Sequence, residues 1–209
     1  MRKTLMLIVL LVTCFCFSAF GESVKENDIT NEAFKFRDFE WGTSLEDVQN
    51  KEITDTMVYY DDYYTSEDAY EFIIRTVVSD IDMFAHFAFD EDWKLRIGYY
   101  EPNVTHSTPL DYYKDFAVLD ALLISLYGNA TVEYNVGFDD FASLSTEEKV
   151  NSIINNGAVI ANIWGALDGS CIMSGCYASE GIIHTGLYYF EDYNTMVELL
   201  NSVMDTTGL

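Results

Sequence analysis

Residues 87–101 read FAFDEDWKLRIGYYE and residues 177–191 read YASEGIIHTGLYYFE. Each stretch contains a strand-like run, an acidic turn, a second strand-like run with an internal glycine, and then a tyrosine pair and a glutamate. The short links between the runs predict hairpins, in which consecutive strands are antiparallel. Because the pattern occurs twice, we predict two similar units, each with a helix before its sheet, that join into one longer antiparallel sheet.

Other segments with strand and helix signals surround these two stretches. Strand-like runs lie at 56–60, 70–78, 83–89, 93–100, 131–134, 158–165, 170–178 and 182–190. Helices are predicted at 45–51, 109–127, 145–156 and 192–205, where capping residues and stop glycines bracket apolar positions at helical spacing. Runs of strands without β-α-β alternation predict an α+β fold, an antiparallel β-meander sheet covered on one face by helices. We expect one domain at 33–209, with halves at about 33–104 and 105–191.

The helix signals predict particular capping residues, and they predict one stripe of side chains that packs into the core. Thr43 or Ser44 would cap the first helix, with Glu46 as the partner of Thr43 in a capping box. Ser145 and Glu148 form a second capping-box pattern. The stripe of the longest helix would face the sheet, and it consists of Tyr112, Phe116, Leu119, Leu123 and Leu126.

The first 21 residues have the pattern of a secretory signal peptide. Basic residues at 2–3 precede an apolar stretch at 4–17, and small residues at 19 and 21 suit a cleavage site. Lipidation at Cys14 is the less favoured alternative, because the residues around it match a lipobox poorly. We therefore expect a secreted or periplasmic protein with a flexible leader at 22–32. Beyond the signal we expect no membrane span.

The charge of the chain limits its partners. Asp and Glu number 35 against 11 Lys and Arg, so the net charge is −24. Nucleic acids and anionic lipid surfaces need basic partners, and both are disfavoured. The acidity is compatible with a basic partner, and it also serves to keep an aromatic-rich protein in solution.

Two cysteines, Cys171 and Cys176, lie beyond the signal sequence. Export would permit a disulfide between them. A straight strand would separate their Cα atoms by roughly 16 Å and point them to opposite faces, whereas a bridge needs about 7 Å. A disulfide therefore requires a turn at 174–175, and both alternatives remain open.

A tyrosine-rich stretch, MVYYDDYYTSEDAY at 57–70, is the candidate binding site. Tyrosine combines flat apolar area with a polar tip, which suits a protein- or glycan-binding surface. In the alternative, alternate tyrosines pack under the helices. The proposed aromatic and acidic face consists of Tyr59, Tyr60, Tyr63 and Tyr64, rimmed by Asp61 and Asp62.

Catalytic and cofactor motifs do not match the sequence. The stretch FEWGTSLEDV at 39–48 lacks the lysine of a phosphate-binding loop and the second glycine of a nucleophile elbow. The three histidines lack a local nucleophile, and the acidic clusters do not follow a calcium-loop spacing. We therefore expect neither catalytic residues nor a metal or other cofactor, and we interpret FEWGTSLEDV as a strand-to-helix elbow.

FEWGTSLEDV also resembles the F-x-W-G-x-S-x-E-x-V opening of uncharacterised secreted or lipid-anchored bacterial proteins. In these an aromatic elbow precedes a short helix, a meander and a longer helix ending in Tyr-Gly, here Tyr127-Gly128. The architecture is similar to tandem units of the BamE or β-lactamase-inhibitor-protein type. The resemblance implies a non-catalytic binding or interaction protein of the bacterial envelope. The alternative is a hydrolase or inhibitor-like protein that uses an acidic, tyrosine-rich cleft.

Overall fold

The structure is a computed structural model, and it describes residues 32–53, 70–138, 140–179 and 181–198 together with the backbone of 63–66. Several predictions of the sequence analysis lie outside these residues. They concern the signal peptide, most of the leader, the strand at 56–60, the final helix beyond residue 198, and the candidate residues Tyr59, Tyr60, Asp61 and Asp62.

The described helices and strands follow the predicted order, apart from a strand at 63–66 that was not predicted. The helices are α1 (Leu45–Glu52), α2 (Pro109–Tyr127) and α3 (Thr146–Asn156), and residues 193–198 form α4. A short 3-10 turn covers Phe141–Ser143. The strands are β1 (Tyr63–Ser66), β2 (Glu71–Val78), β3 (Ile81–Phe89), β4 (Leu95–Pro102), β5 (Val132–Val136), β6 (Val159–Gly165), β7 (Cys171–Ser179) and β8 (Ile182–Phe190).

All eight strands form one antiparallel sheet, in the order β1-β2-β3-β4-β8-β7-β6-β5. The two meanders meet at their last strands, where β4 pairs with β8 and Tyr99 lies opposite Tyr188. The predicted α+β class and the single longer sheet are therefore confirmed. The second meander differs from the first because α3 is inserted between β5 and β6.

One face of the sheet, called here the helix face, carries α2, α3 and the segment 34–52. Leu119 and Leu123 of α2 pack on β6 to β8 through Trp164 and Ile172. Burial of each large apolar side chain stabilises the fold by about 1.5–3 kcal/mol. Leu126, which we predicted in the core stripe, is instead 60% exposed. The buried part of the predicted stripe consists of Phe116, Leu119 and Leu123.

The segment 34–52 covers the first meander on the helix face. Phe36 is fully buried, and its ring occupies the space above Gly98, where a Cβ atom would lie only 2.0 Å from Phe36 Cγ. Gly42 takes a positive φ of 82° at the elbow, as its predicted bend requires. The elbow is thus an architectural joint that lays aromatic side chains onto the sheet.

The structure has the predicted helix caps, but it lacks the predicted capping box of Thr43 and Glu46. Ser44 is the N-cap of α1, and its hydroxyl accepts a hydrogen bond from the Asp47 amide. Glu46 is therefore not the partner; Thr43 donates instead to the carbonyl of Glu40. At α3 the predicted capping box of Ser145 and Glu148 is present in full.

Cys171 and Cys176 are free thiols. β7 runs without a turn through residues 174–175, so the condition for a disulfide is not met. Cys176 lies against Phe116 and Ile153 on the helix face. The Sγ atom of Cys171 lies 3.7 Å from Met196 Sδ on the opposite face.

Candidate functional site

The face of the sheet opposite the helix face carries two histidines and is called here the histidine face. Over β5 to β7 it is covered by α4, where Met196 packs against Ile163 and Met173. Over β3, β4 and β8 its outward positions include histidine, tyrosine and glutamate side chains. We define the His–Tyr cluster as Glu71, His86, Tyr99, Glu101, Tyr177, His184 and Tyr188.

Strand register brings the rings of the His–Tyr cluster together. His86 pairs with Tyr99, and Tyr99 pairs with Tyr188, across three neighbouring strands. The rings of His86 and Tyr99 stack with centroids 4.2 Å apart and an interplanar angle of 10°, and Tyr99 stacks on Tyr188 at 5.6 Å. Tyr177 and His184 form a second stack at 5.2 Å. Each of these rings thus turns a face toward the next ring.

Two glycines make room for the ring of Tyr188. Gly175 and Gly186 lie opposite each other in β7 and β8. A Cβ atom at Gly186 would approach the carbonyl oxygen of Tyr100 to 2.6 Å and the Tyr188 ring to 3.3 Å. The absence of a side chain at these positions is therefore part of how the sequence shapes the cluster.

Carboxylates lie beside both histidines. Glu71 accepts a hydrogen bond from the hydroxyl of Tyr99. His86 Nδ1 is 3.7 Å from Glu71, and its Nε2 is 3.8 Å from Glu101. His184 Nδ1 is also 3.8 Å from Glu101, whose side chain is 44% exposed. Glu101 therefore stands half in solvent between two imidazoles.

His86 is the least accessible member of the cluster. Its exposed fraction is 7%, and both ring nitrogens lack a hydrogen-bond partner. The carboxylates beside it lie within ion-pair range but beyond hydrogen-bond distance. Buried polar atoms without partners are uncommon in folded proteins, and a functional role is one of the explanations for them.

The protonation states follow from burial and from these contacts. Burial raises the pKa of the Tyr99 hydroxyl, and the neighbouring Glu71 raises it further. Burial likewise raises the pKa values of Tyr177 and Tyr188. At Glu71 burial opposes ionisation, but His86 and the Tyr99 hydroxyl outweigh it and lower the pKa of the carboxyl. At neutral pH the cluster thus combines phenol donors with an ionised carboxylate.

The described part of the predicted tyrosine site adjoins this cluster. Tyr63 and Tyr64 lie in β1, and Tyr64 pairs with Ile73. Ile73 in turn pairs with His86. Tyr64, Ile73 and His86 are therefore directly paired across three neighbouring strands, and the backbone of Tyr64 lies two strands away from His86.

The His–Tyr cluster was not predicted from the sequence. The histidines received no role, because none of them has a local nucleophile. The available signal was the single polar residue of the FAHFAF run at 84–89, combined with the repeated pattern of the two hairpins. Only the pairing of β4 with β8 joins these signals into one surface.

Two further polar groups lie on or beneath α2. His106 contacts Asp115 at 2.6 Å, and it fastens the loop before α2 to that helix. Asp120 points toward the sheet and accepts hydrogen bonds from Asn162 at 2.8 Å and from Ser174 at 2.5 Å. This second group positions α2 on the sheet and was also missed by the sequence analysis.

Two cavities, of about 170 and 230 Å³, lie elsewhere in the molecule. The first lies between the β6–β7 end of the sheet and Tyr193, and the second lies between the first turn of α2 and one side of α3. Neither is lined by a histidine. Among the described residues no three His, Cys, Asp or Glu side chains are arranged to hold a metal ion.

Comparison with protein families finds no family model that matches the chain, and comparison with curated proteins finds no match either. Within the described ranges, none of the helices combines the length and the apolar character that crossing a bilayer requires.

Proposed function

We propose that this chain is a secreted, non-catalytic binding protein of the bacterial envelope, and that its His–Tyr cluster contacts the partner. The observation that carries the proposal is the position of Glu101, half exposed between His86 and His184 on the histidine face. Apolar side chains would stabilise a sheet face better than two histidines and two carboxylates do, since buried polar groups cost free energy unless they are paired. A role in binding explains why the sheet face holds these polar side chains despite their free-energy cost.

The ligand chemistry follows from the groups of the cluster. The stacked rings of His86, Tyr99 and Tyr188 turn faces toward one another, so recognition rests on ring edges, hydroxyls and carboxylates. Such groups donate and accept hydrogen bonds in the same small area. They suit the hydroxyls of a glycan or the polar backbone and basic side chains of a protein segment. The net charge of −24 further favours a neutral or basic partner.

The signal-peptide pattern at 1–21 supports a location outside the cytoplasm. The resemblance of FEWGTSLEDV to secreted bacterial proteins supports the envelope assignment. The hydrolase alternative has less support, because His106 and Asp115, which lie within hydrogen-bond distance of each other, line neither cavity.

Binding of the chain from residue 22 onward to a glycan array and to a set of basic peptides tests the proposal. We expect a ligand in one of the two sets, and Glu101→Gln should weaken it about tenfold, equivalent to about 1.4 kcal/mol. Glu133→Gln is the matched control, since it removes the same charge from an exposed position on β5, at the far edge of the sheet.

Equal affinities of the Glu101→Gln and Glu133→Gln proteins would show that general acidity, not the cluster, drives binding. Absence of binding in both sets would contradict the proposed function. Cleavage of an array member by the wild-type protein would favour the hydrolase alternative instead.

A further inference from the structure

The outward face of α2 is apolar in a protein that is otherwise strongly acidic. From residue 116 to residue 127 the helix reads FAVLDALLISLY, and its only charged residue is Asp120. Asp120 points inward, to Asn162 and Ser174. The outward surface of the last three turns therefore carries no charge.

Large side chains of this face stand in solvent. Val118 is 45% exposed and Ile124 is 43% exposed. Between them lie the small residues Ala117 and Ala121, both also exposed. An amphipathic surface helix normally has a polar outer face, and a helix that is apolar on all sides is normally covered. The second half of α2 lacks such a polar outer face, which suits it to packing on another surface.

Charge restricts which surface this can be. Two copies of a chain with a net charge of −24 repel each other, and contact through most of the surface would bring carboxylates together. Contact through the outer face of α2 avoids this, because that face holds no carboxylate after Asp115. A second copy of the chain can therefore pack on the outer face of α2, despite the overall repulsion between the two acidic copies.

An antiparallel pair of α2 helices also places opposite charges together. If two copies cross at Ala121, Lys114 of each copy lies beside Gly128 of its partner, since both positions are seven residues from the crossing point. The last turn of α2 contains no basic residue, so the partial negative charge of its C-terminus is uncompensated. Lys114 is the only basic residue of α2, and its side chain is 63% exposed and forms an ion pair with Asp111 on the same helix. Exposed pairs of this kind are weak, so the Lys114 ammonium can also reach carbonyls of a partner helix.

We propose that the chain forms a symmetric homodimer through the outer face of α2, with the two helices antiparallel and crossing near Ala121. Three helical turns span roughly 16 Å. A patch of this size is typical of small interfaces that bury less than about 1,200 Å² in total, so the dimer is weak and reversible. The interface lies on the side of the sheet opposite the His–Tyr cluster, and both surfaces are accessible at once.

Sedimentation of the chain from residue 22 onward, over micromolar to near-millimolar concentrations, tests this proposal. We expect a concentration-dependent dimer whose dissociation constant falls as sodium chloride is added, because salt screens the repulsion between the two acidic copies. Ala121→Glu should weaken the dimer at least about tenfold, since it places two carboxylates at the crossing point. Lys114→Glu should weaken it by a smaller factor.

Val77→Glu is the matched control. Val77 is 66% exposed on β2, so this change adds the same charge to an exposed apolar position away from α2. Melting curves of all variants should stay close to that of the wild type, because each substitution lies at an exposed position.

Three outcomes would overturn the proposal. One is a wild-type chain that stays monomeric at the highest concentration and salt. Another is equal association of the Ala121→Glu and Val77→Glu proteins. The last is a wild-type monomer that binds phosphatidylcholine vesicles while Ala121→Glu does not, since the face would then be a lipid contact.

Discussion

The two faces of the sheet are built from alternate residues of the same strands, yet they differ in chemistry. On β3, Ala85 and Phe87 face the helix side and are fully buried in an apolar cluster. His86, between them in sequence, faces the opposite side and stands beside two carboxylates. The helix face thus supplies most of the apolar packing, and the histidine face holds polar groups that packing does not require.

This difference separates the residues that stabilise the fold from the residues that we propose contact a partner. Strand side chains alternate with a period of two, so one strand can serve a core and a polar surface at once. Substitutions on the helix face should therefore change the free energy of unfolding, and those in the His–Tyr cluster should change binding and pH dependence more than stability.

The largest effect is expected for Leu119→Ala on the helix face. Leu119 is fully buried between α2 and the sheet. Removing its side chain leaves a cavity and should cost about 2–5 kcal/mol of unfolding free energy, measured by urea denaturation. Val118→Ala is the control at the neighbouring exposed position, and it should cost little when measured at low protein concentration. Similar losses for the two variants would contradict the placement of Leu119 in the packed core of the helix face.

A smaller loss is expected for Gly98→Ala, at about 1–3 kcal/mol. The new Cβ atom would lie 2.0 Å from Phe36 Cγ, so the ring of Phe36 must move. A double-mutant cycle checks this cause, because Gly98→Ala should cost much less in a Phe36→Ala background. An unchanged cost in that background would show that strand conformation, not the ring, requires glycine.

The next prediction concerns the histidine face and pH. The pKa of Glu71 in the folded protein lies below its ordinary value of 4.5. Its contribution to stability is therefore complete above that value, and it is lost as the pH falls through the lower folded pKa. Glu71→Gln should cost about 1–2 kcal/mol at pH 7, and the difference from the wild type should shrink in acid. Denaturation at several pH values measures it, and a difference that is constant with pH would be contrary to this assignment.

Ser44→Ala should lower the free energy of unfolding by about 1 kcal/mol, because Ser44 caps α1, which packs on the helix face of the sheet. Thr43→Ala should cost less, since the Thr43 hydroxyl bonds a turn carbonyl and leaves the helix amides unchanged. Thermal melting of both variants distinguishes them. Neither should change binding, and a loss of binding at constant melting temperature would identify the elbow as a site.

The smallest effect is expected for thiol reagents on the native protein. Burial raises the pKa of Cys171 and of Cys176 to about 12, so neither is a thiolate at pH 8. Labelling with a maleimide should stay negligible until urea unfolds the chain. The two thiols lie on opposite faces, so selective labelling of Cys171 in native conditions would show that α4 opens separately from the helix face.

Much of the fold could be predicted because it depends on local signals. Hairpin turns, the capping box of Ser145 and the stop glycine at 157 all act within a few residues of the element they bound. The cap of the first helix was left open between Thr43 and Ser44, because both residue types cap helices. The structure selects Ser44, so only the predicted capping box of Thr43 and Glu46 was wrong.

The candidate site was less predictable because its members are far apart in sequence. Tyr59, Tyr60, Asp61 and Asp62 were selected for their local density, and they lie outside the described residues. The cluster that the structure shows draws instead on β2, β3, β4, β7 and β8, and each of these strands contributes one or two residues that are unremarkable in isolation.

The sequence by itself determined the antiparallel hairpins, the helix boundaries and the acidic charge, because these depend on neighbours in the chain and on composition. The pairing of β4 with β8 was decided only in the tertiary structure. That pairing sets Tyr99 against Tyr188 and brings both His86 and His184 within 3.8 Å of Glu101. The register between these distant strands decides the contacts, because a slip of one residue would turn every one of these side chains to the other face.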